Sequence, residues 1–258
     1  MKEIISKNKH TKERMRERKI EVVILAAGVG SRLRPLTDKL PKCLIEINGS
    51  NILERVLNQL KKHERVESIS VLTGHEHEKL NNFLNQSYPD VRHVYNPDYK
   101  ITNNMYSLSL FLNRRKEEND LIIINADCVY ETEIVNKCIK FEGSCIMADS
   151  SLYQEESMKI GIEEGKVTKI SKKIAKDKNV FTSIDLYKFE PQEANVLHEI
   201  VNQYISSADL NQWTEVAINE LVDKNDQVYS NDISGLKWFE IDTMEDLENA
   251  RKLFSNAN

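Results

Sequence analysis

Cations and small residues lie together near the start of this chain in a pattern suited to phosphate. Leu25-Ala26-Ala27-Gly28-Val29-Gly30-Ser31-Arg32 follows directly on an apolar, strand-like stretch at 22–25, and Pro41-Lys42-Cys43-Leu44 comes shortly after. Small residues let the backbone approach a bulky anion closely, and its amides can then point at phosphate oxygens. Arg32 and Lys42 add two positive charges near the same loop, which is the chemistry of holding a triphosphate. A P-loop is excluded because no Gly-Lys-Ser/Thr ending follows Gly30. A dinucleotide fingerprint is excluded because Leu33 stands where a third small residue is needed.

Two carboxylates fall at predicted strand ends, Asp127 after Leu-Ile-Ile-Ile-Asn-Ala and Asp242 after Lys-Trp-Phe-Glu-Ile. Magnesium prefers one or two carboxylates together with phosphate oxygens and water. Asp127 and Asp242 facing the triphosphate loop would hold one or two Mg²⁺ ions. Glu240 shares strand parity with Asp242 and is the weaker metal candidate. The reaction this implies is attack by a phosphate monoester oxygen on the α-phosphorus of a nucleotide, with release of pyrophosphate. A monoester has a second pKa near ~6, so at neutral pH it is already a dianionic nucleophile and needs no protein base. The protein must position the partners and offset growing negative charge. Arg32, a planar fork, suits the β- and γ-phosphates, and Lys42 suits the α-phosphate in the transition state. Lys39, Arg34, His75 and His77 read as surface residues.

Asn96-Pro97-Asp98-Tyr99-Lys100-Ile101-Thr102-Asn103-Asn104-Met105-Tyr106-Ser107-Leu108 carries the next signal. Adjacent amides can read a base, and Asn103 or Asn104 can equally cap the helix that follows. For the acceptor, Tyr106, Tyr153, Tyr187 and Trp213 could supply aromatic walls for a quaternary ammonium, with Asp185 as its counter-charge. Lys159 could instead bind an anionic acceptor.

These residues need a scaffold that gathers strand ends. Strands are expected at 22–25, 69–73, 92–95, 121–125 and 145–148, with helices at 51–62, 76–85, 104–113 and 133–141 between them. That alternation implies crossover units and a mostly parallel sheet in an α/β fold. The glycine loop, Thr73-Gly74 and Asp127 all lie at carboxyl ends of strands, where such sheets bind ligands. Farther on come a hairpin over 159–171, a strand at 181–189, helices at 192–205 and 213–222, and a strand at 236–241. Thr243-Met244-Glu245-Asp246 reads as a capping box opening a last helix.

The chain has 258 residues and a net charge of −5, enough for one substantial core and unlike a nucleic-acid or membrane-surface protein. No apolar run approaches the ~20 residues that span a bilayer. No signal peptide is expected at 1–19, and four dispersed cysteines suggest reduced thiols and a cytoplasmic protein. Residues 1–19 hold five Lys and three Arg against three Glu and form a basic arm. A homo-oligomer is compatible with the chain.

The glycine loop, the Asn-Pro…Thr-Asn-Asn-x-Tyr-Ser-Leu stretch and the late Glu-Ile-Asp-Thr-x-Glu-Asp-Leu together resemble the phosphocholine cytidylyltransferase-like branch of the sugar-phosphate nucleotidyltransferases. Met158-Lys159-Ile160 and Ile170-Ser171-Lys172 resemble it more loosely. The likeness runs from about residue 20 onward. It implies a Rossmann-like three-layer sandwich with a mixed, mostly parallel central sheet, spanning 20–258 as one domain with an acceptor-binding part around 150–235. It also implies a CTP donor, a small phosphorylated acceptor and Mg²⁺. On that pattern Asp127 and Asp242 are metal ligands, Arg32 and Lys42 contact phosphates, and Asn103 and Asn104 belong to the active-site loop. Leu25, Ala26, Ala27, Gly28, Gly30, Ser31, Thr73 and Gly74 complete the nucleotide site; Tyr106, Lys159, Asp185 and Trp213 are the acceptor-side candidates. Ala126 stands where the branch commonly has Gly, and His75 where it commonly has Tyr. The competing readings are a sugar-1-phosphate nucleotidyltransferase using another nucleotide and a nucleotide-sensing subunit without turnover.

Overall fold

Alternate residues of the first strand point into two different cores. In β1 (Ile20–Ala26), Val22 and Ile24 enter one apolar cluster, and Val23 and Leu25 enter another. A strand apolar on both faces demands a layer on each side. The computed structural model describes residues 18–225 and 227–255.

The elements after β1 are β2 (Glu46–Ile47), β3 (Ser50–Asn51), α1 (Ile52–Leu60), β4 (Val66–Thr73), α2 (His77–Ser87), β5 (Arg92–Tyr95), α3 (Asn104–Leu112) and β6 (Asp120–Asn125). They continue with β7 (Cys128–Tyr130), α4 (Thr132–Lys140), β8 (Ser144–Asp149), β9 (Lys159–Glu163), β10 (Lys166–Ser171) and β11 (Val180–Phe189). The last are α5 (Pro191–Ser206), α6 (Thr214–Lys224), β12 (Val228–Asp232), β13 (Trp238–Glu240) and α7 (Met244–Leu253). Among the described residues, a nine-stranded sheet runs β5-β4-β1-β6-β11-β8-β12-β10-β9, and β9 also pairs with β11. Its first four strands are parallel, and β11 enters antiparallel to β6, β8 and β9. Helices α1, α2 and α4 cover one face through Leu57, Leu80 and Ile134. Helices α3, α5 and α6 cover the other through Leu108, Leu197 and Leu221. The result is the three-layer mixed-sheet sandwich expected from the motifs.

A third, smaller core does the positioning. Leu33, Ile45, Ile47, Ile52, Val129, Ile241 and Leu247 pack together, joining the glycine-loop segment to the β7–β13 pair and α7. Residues more than two hundred positions apart are thereby brought to one place. At the amino end of β6, Asp120 is buried and takes Arg18 at 2.7 Å, Arg65 at 2.8 Å and Lys188 at 3.5 Å, with Arg18 also paired to Glu190. This network welds the sheet end opposite the site. Residues 1–17 of the basic arm lie outside the described residues. Among the described residues, no helix is long and apolar enough to cross a membrane.

Two strand readings change. Val228–Asp232 is a strand that joins the main sheet beside β8, although its mixed polarity hides it in the sequence. The late strand contracts to Trp238–Glu240 and pairs with β7 outside the main sheet.

Candidate active site

The glycine loop is held from beneath. Gly30 adopts φ +63°, where a Cβ would lie 3.1 Å from Thr37 Cγ2 and 3.2 Å from Lys42 Cβ, so backbone sign and space both favour glycine. Thr37 Oγ1 donates to Gly30 O at 2.8 Å and ties the loop to the turn at Leu36–Asp38. Gly28 differs: a Cβ there would touch no protein atom, so its openness faces the cavity. Ala126 N donates to Leu25 O at 3.1 Å, and Ile241 N donates to Asp127 O at 2.9 Å. These bonds set Asp127 and Asp242 side by side across the loop. The Thr243–Asp246 capping box, with reciprocal bonds of 2.7 and 3.2 Å, fixes the turn after Asp242.

At the centre, Lys42 Nζ lies 2.8 Å from Asp242 Oδ1 and 3.2 Å from Asp127 Oδ2, and Arg32 Nη2 lies 2.7 Å from Asp242 Oδ2. The Lys42 side chain is only 13% exposed. Burial opposes its charge, yet the two aspartates prevail and raise its pKa. Burial likewise pushes Asp242 up, but Lys42 and Arg32 outweigh it and hold the carboxyl below its ordinary value. Carboxylate oxygens of Asp127, Glu240 and Asp242 all lie within 4.8 Å of one another. An all-oxygen set of this kind fits Mg²⁺. Glu240, the weaker candidate in the sequence, is thus a full member of the cluster, with Ser157 Oγ donating to its Oε2 at 2.9 Å. Burial, then the charges of Asp127 and Asp242, push it up to about 7. Leu25, Ala26, Gly28, Gly30, Ser31, Arg32, Lys42, Asp127 and Asp242 line one cavity of about 230 Å³.

Ala27, Gly28, Asn103, Asn104 and Asp127 line an adjoining cavity of about 210 Å³. Buried Asn96 braces it through Nδ2, which donates to Thr102 Oγ1 at 3.1 Å and Ser107 Oγ at 2.9 Å. The two readings of the asparagine pair hold together. Asn103 Oδ1 caps α3, Asn104 Oδ1 accepts from Thr214 N at 2.8 Å, and both residues still face the cavity. Thr73 and Gly74 line neither cavity. Thr73 is buried, and a Cβ on Gly74 would sit 2.6 Å from Ala27 O, so this glycine seats the loop from behind.

The nucleotidyl transferase family model matches residues 21–256. The chain belongs to that family. Among relatives of this nucleotidyltransferase, the CTP:phosphoglutamine cytidylyltransferase of Campylobacter jejuni is 30% identical over 89% of this chain and 98% of its own length. The bifunctional IPC transferase and DIPP synthase of Aquifex aeolicus is also 30% identical over 89% of this chain, which spans only 50% of that protein. Among solved structures, the CTP:phosphocholine cytidylyltransferase of Streptococcus pneumoniae superposes with a TM-score of 0.79 at 23% identity, over 92% of this chain and 100% of that one. The resemblance to the cytidylyltransferase branch is borne out, and the fold is shared.

On the acceptor side of the nucleotidyltransferase site, expectation and structure part company. Lys159 is fully buried, its Nζ donating to Glu155 O at 2.7 Å and Gln154 O at 3.2 Å, so its charge is spent inside the fold. Tyr106 turns its hydroxyl to Asp98 Oδ2 at 3.3 Å. Trp213 lines a separate cavity of about 270 Å³ together with Lys172 and Glu215. Asp185 does face inward: its φ of +58° interrupts the β11–β8 ladder, and its carboxylate lies within 4.8 Å of that of Asp127. Burial foremost, with Glu240, Glu215 and Asp127 nearby, raises its pKa well above the ordinary value. Lys172 and Glu215, which line the Trp213 cavity, are not among the site candidates read from the sequence. The Ser171-Lys172-Lys173 run was the available signal for the first. Glu215, beside Trp213 at a helix start, offered none.

Proposed function

We propose that this nucleotidyltransferase transfers a cytidylyl group from CTP to a small phosphorylated alcohol and releases pyrophosphate. The observation that carries this reading is the meeting of Lys42 and Arg32 with Asp127 and Asp242 at the mouth of the glycine loop. Asp127, Asp242 and Glu240 would hold Mg²⁺, which when bound supplies positive charge at the phosphates. Lys42 exchanges its carboxylate partners for a non-bridging α-phosphate oxygen, and Arg32 turns from Asp242 to the β- and γ-phosphates. An acceptor phosphate oxygen then forms a bond to the α-phosphorus. The bond from that phosphorus to the β-phosphate oxygen breaks, and its electron pair leaves with pyrophosphate. The asparagine cavity receives base and ribose. Lys172 lies close enough to depress the pKa of Asp242, after Lys42 and Arg32, and is our candidate to orient the acceptor phosphate. In this reading residues 20–258 work as one unit, with 150–235 supplying the acceptor side. Its four buried free cysteines suit the reducing cytoplasm.

The test is pyrophosphate release with Mg²⁺ across the four nucleoside triphosphates and a panel of phosphorylated alcohols and sugar 1-phosphates. Release is expected with CTP and a small phosphorylated alcohol. Turnover confined to sugar 1-phosphates would overturn the acceptor, and silence with every pair would overturn turnover itself.

A further inference from the structure

A single residue bonds both ends of the glycine loop. At the loop's entry, the backbone N–H of His75 donates to Ala27 O at 3.2 Å. At its exit, the ring of the same residue donates from Nε2 to Thr37 O at 2.6 Å. A carbonyl only accepts, so Nε2 carries the proton of this bond. Thr37 is buried and passes the hold inward, its Oγ1 donating to Gly30 O at 2.8 Å. Between the two ends lie Gly28, Gly30, Ser31 and Arg32, which line the cavity shared with Lys42. His75 reads as a surface residue in the sequence, yet the fold half-buries it.

The two bonds differ in what they ask of the sequence. The backbone bond carries the contact of β1 with β4 one step beyond the Ala26–Thr73 pair, and any residue except proline could make it. The ring bond belongs to the side chain. Lys79 Nζ also reaches across from α2, to Lys39 O, but that lysine is 48% exposed, and a long, solvated side chain makes a loose tether. The His75 ring meets Tyr99 as well, with centroids 6.2 Å apart at 54°, and Tyr99 lines the asparagine cavity. The histidine thus stands between the glycine loop and the wall of the adjoining cavity. Glycines leave a backbone free to wander, so a loop whose amides must converge on an anion gains from a tie at each end.

We propose that His75 is a positioning residue for the nucleotide: by bonding Ala27 and Thr37 at once, it holds the glycine loop at the span a triphosphate requires. This rests on the reading of that loop as the triphosphate seat and deepens it. His75 touches no substrate and acts through Thr37 and Gly30. Without the ring bond the exit of the loop loosens, and the nucleotide must order it on binding, at a cost in affinity.

Two substitutions in the full chain test it. His75→Phe keeps a ring and removes the donor, and His75→Gln returns an N–H near the place of Nε2. The readouts are CTP affinity by calorimetry with Mg²⁺ and amide hydrogen exchange of the nucleotide-free protein. A neutral hydrogen bond is worth up to about a factor of ten in an equilibrium. His75→Phe should therefore weaken CTP about tenfold. It should also speed exchange at Leu33 and Asp38, whose amides donate to Gly30 O and Pro35 O, while the core strand β6 exchanges as before. His75→Gln should recover most of the affinity and the protection, which a loss of general stability would not do. Wild-type CTP affinity in His75→Phe overturns the proposal, as does a His75→Gln no better than His75→Phe, or exchange that rises equally throughout β6. A wild type that binds no nucleoside triphosphate, in a protein whose loop still loosens in His75→Phe and tightens in His75→Gln, overturns the triphosphate seat and leaves His75 as a clasp of the loop alone.

Discussion

Two neighbouring clusters of ionisable side chains are built on opposite plans. Around Lys42 the aspartates are ion-paired: two of them clasp the ammonium, and Arg32 closes over Asp242. Around Tyr187 two carboxylates face one phenol, with no cation among the side chains that bond to them. The first cluster is ion-paired as it stands, so on the proposed reading a nucleotide and its metal break these ion pairs on binding. The second is held by hydrogen bonds from neutral groups, Tyr187 and Asn125.

The largest effect should come from breaking the paired cluster at its centre. On the proposed reading Lys42→Ala removes the cation that meets the α-phosphate, and kcat is expected to fall on the order of 10²–10³-fold while CTP affinity changes far less. The same variant leaves Asp127 and Asp242 without their clasp. Mn²⁺ binding to the nucleotide-free protein, followed by electron paramagnetic resonance, should therefore tighten. Unaltered turnover, or weaker Mn²⁺ binding, would contradict the exchange of partners proposed for Lys42.

A smaller effect separates the clusters by pH. Glu240 borders both, and its carboxyl is pushed up to about 7, chiefly by burial and then by Asp127 and Asp242. The folded protein then holds this proton over a range where the unfolded chain has lost it. Stability from this group is complete below about pH 4.5 and is lost as pH rises toward 7. Glu240→Gln cannot ionise, so without divalent ions its Tm should gain on the wild type between pH 5 and 8, by about 3 °C or more. Added Mg²⁺ should shrink that gap by stabilising the wild-type carboxylate. A gap that is flat with pH would place Glu240 in an ordinary solvated setting.

The paired cluster was legible in the sequence and the unpaired one was not, for a physical reason. Residues 25–44 are contiguous, and Gly28, Arg32 and Lys42 keep their meaning locally. Asp242 is announced by the helix cap that follows it. Glu215 gains its role only when α6 docks against Tyr187, and the left-handed backbone at Asp185 has no signature in a run of β-formers. The structure places the Lys159 head against carbonyls of the preceding loop, a contact no spacing encodes. Gly74 packs against Ala27, and a glycine required by packing looks the same in sequence as one required by ligand. The layers and most helices followed from periodicity. The β7–β13 pairing did not, since two three-residue strands carry almost no pattern.

The smallest effect on folding, and the sharpest on the comparison, belongs to Arg32. Its side chain is 64% exposed although it bonds Asp242 at 2.7 Å. An exposed pair of this kind contributes less than about 1 kcal/mol once solvent and salt screen it. Arg32→Ala should therefore shift the Tm by no more than about 2 °C at physiological salt. In the proposed CTP complex the same arginine exchanges one carboxylate for phosphate oxygens, where a guanidinium fork would make charge-assisted bonds worth about 1.5–3 kcal/mol. The KM for CTP should rise on the order of tenfold or more, and kcat/KM for the acceptor at saturating CTP should move little. A large loss of stability with unchanged KM would mean that Arg32 serves the fold, and that the paired cluster is a structural clasp.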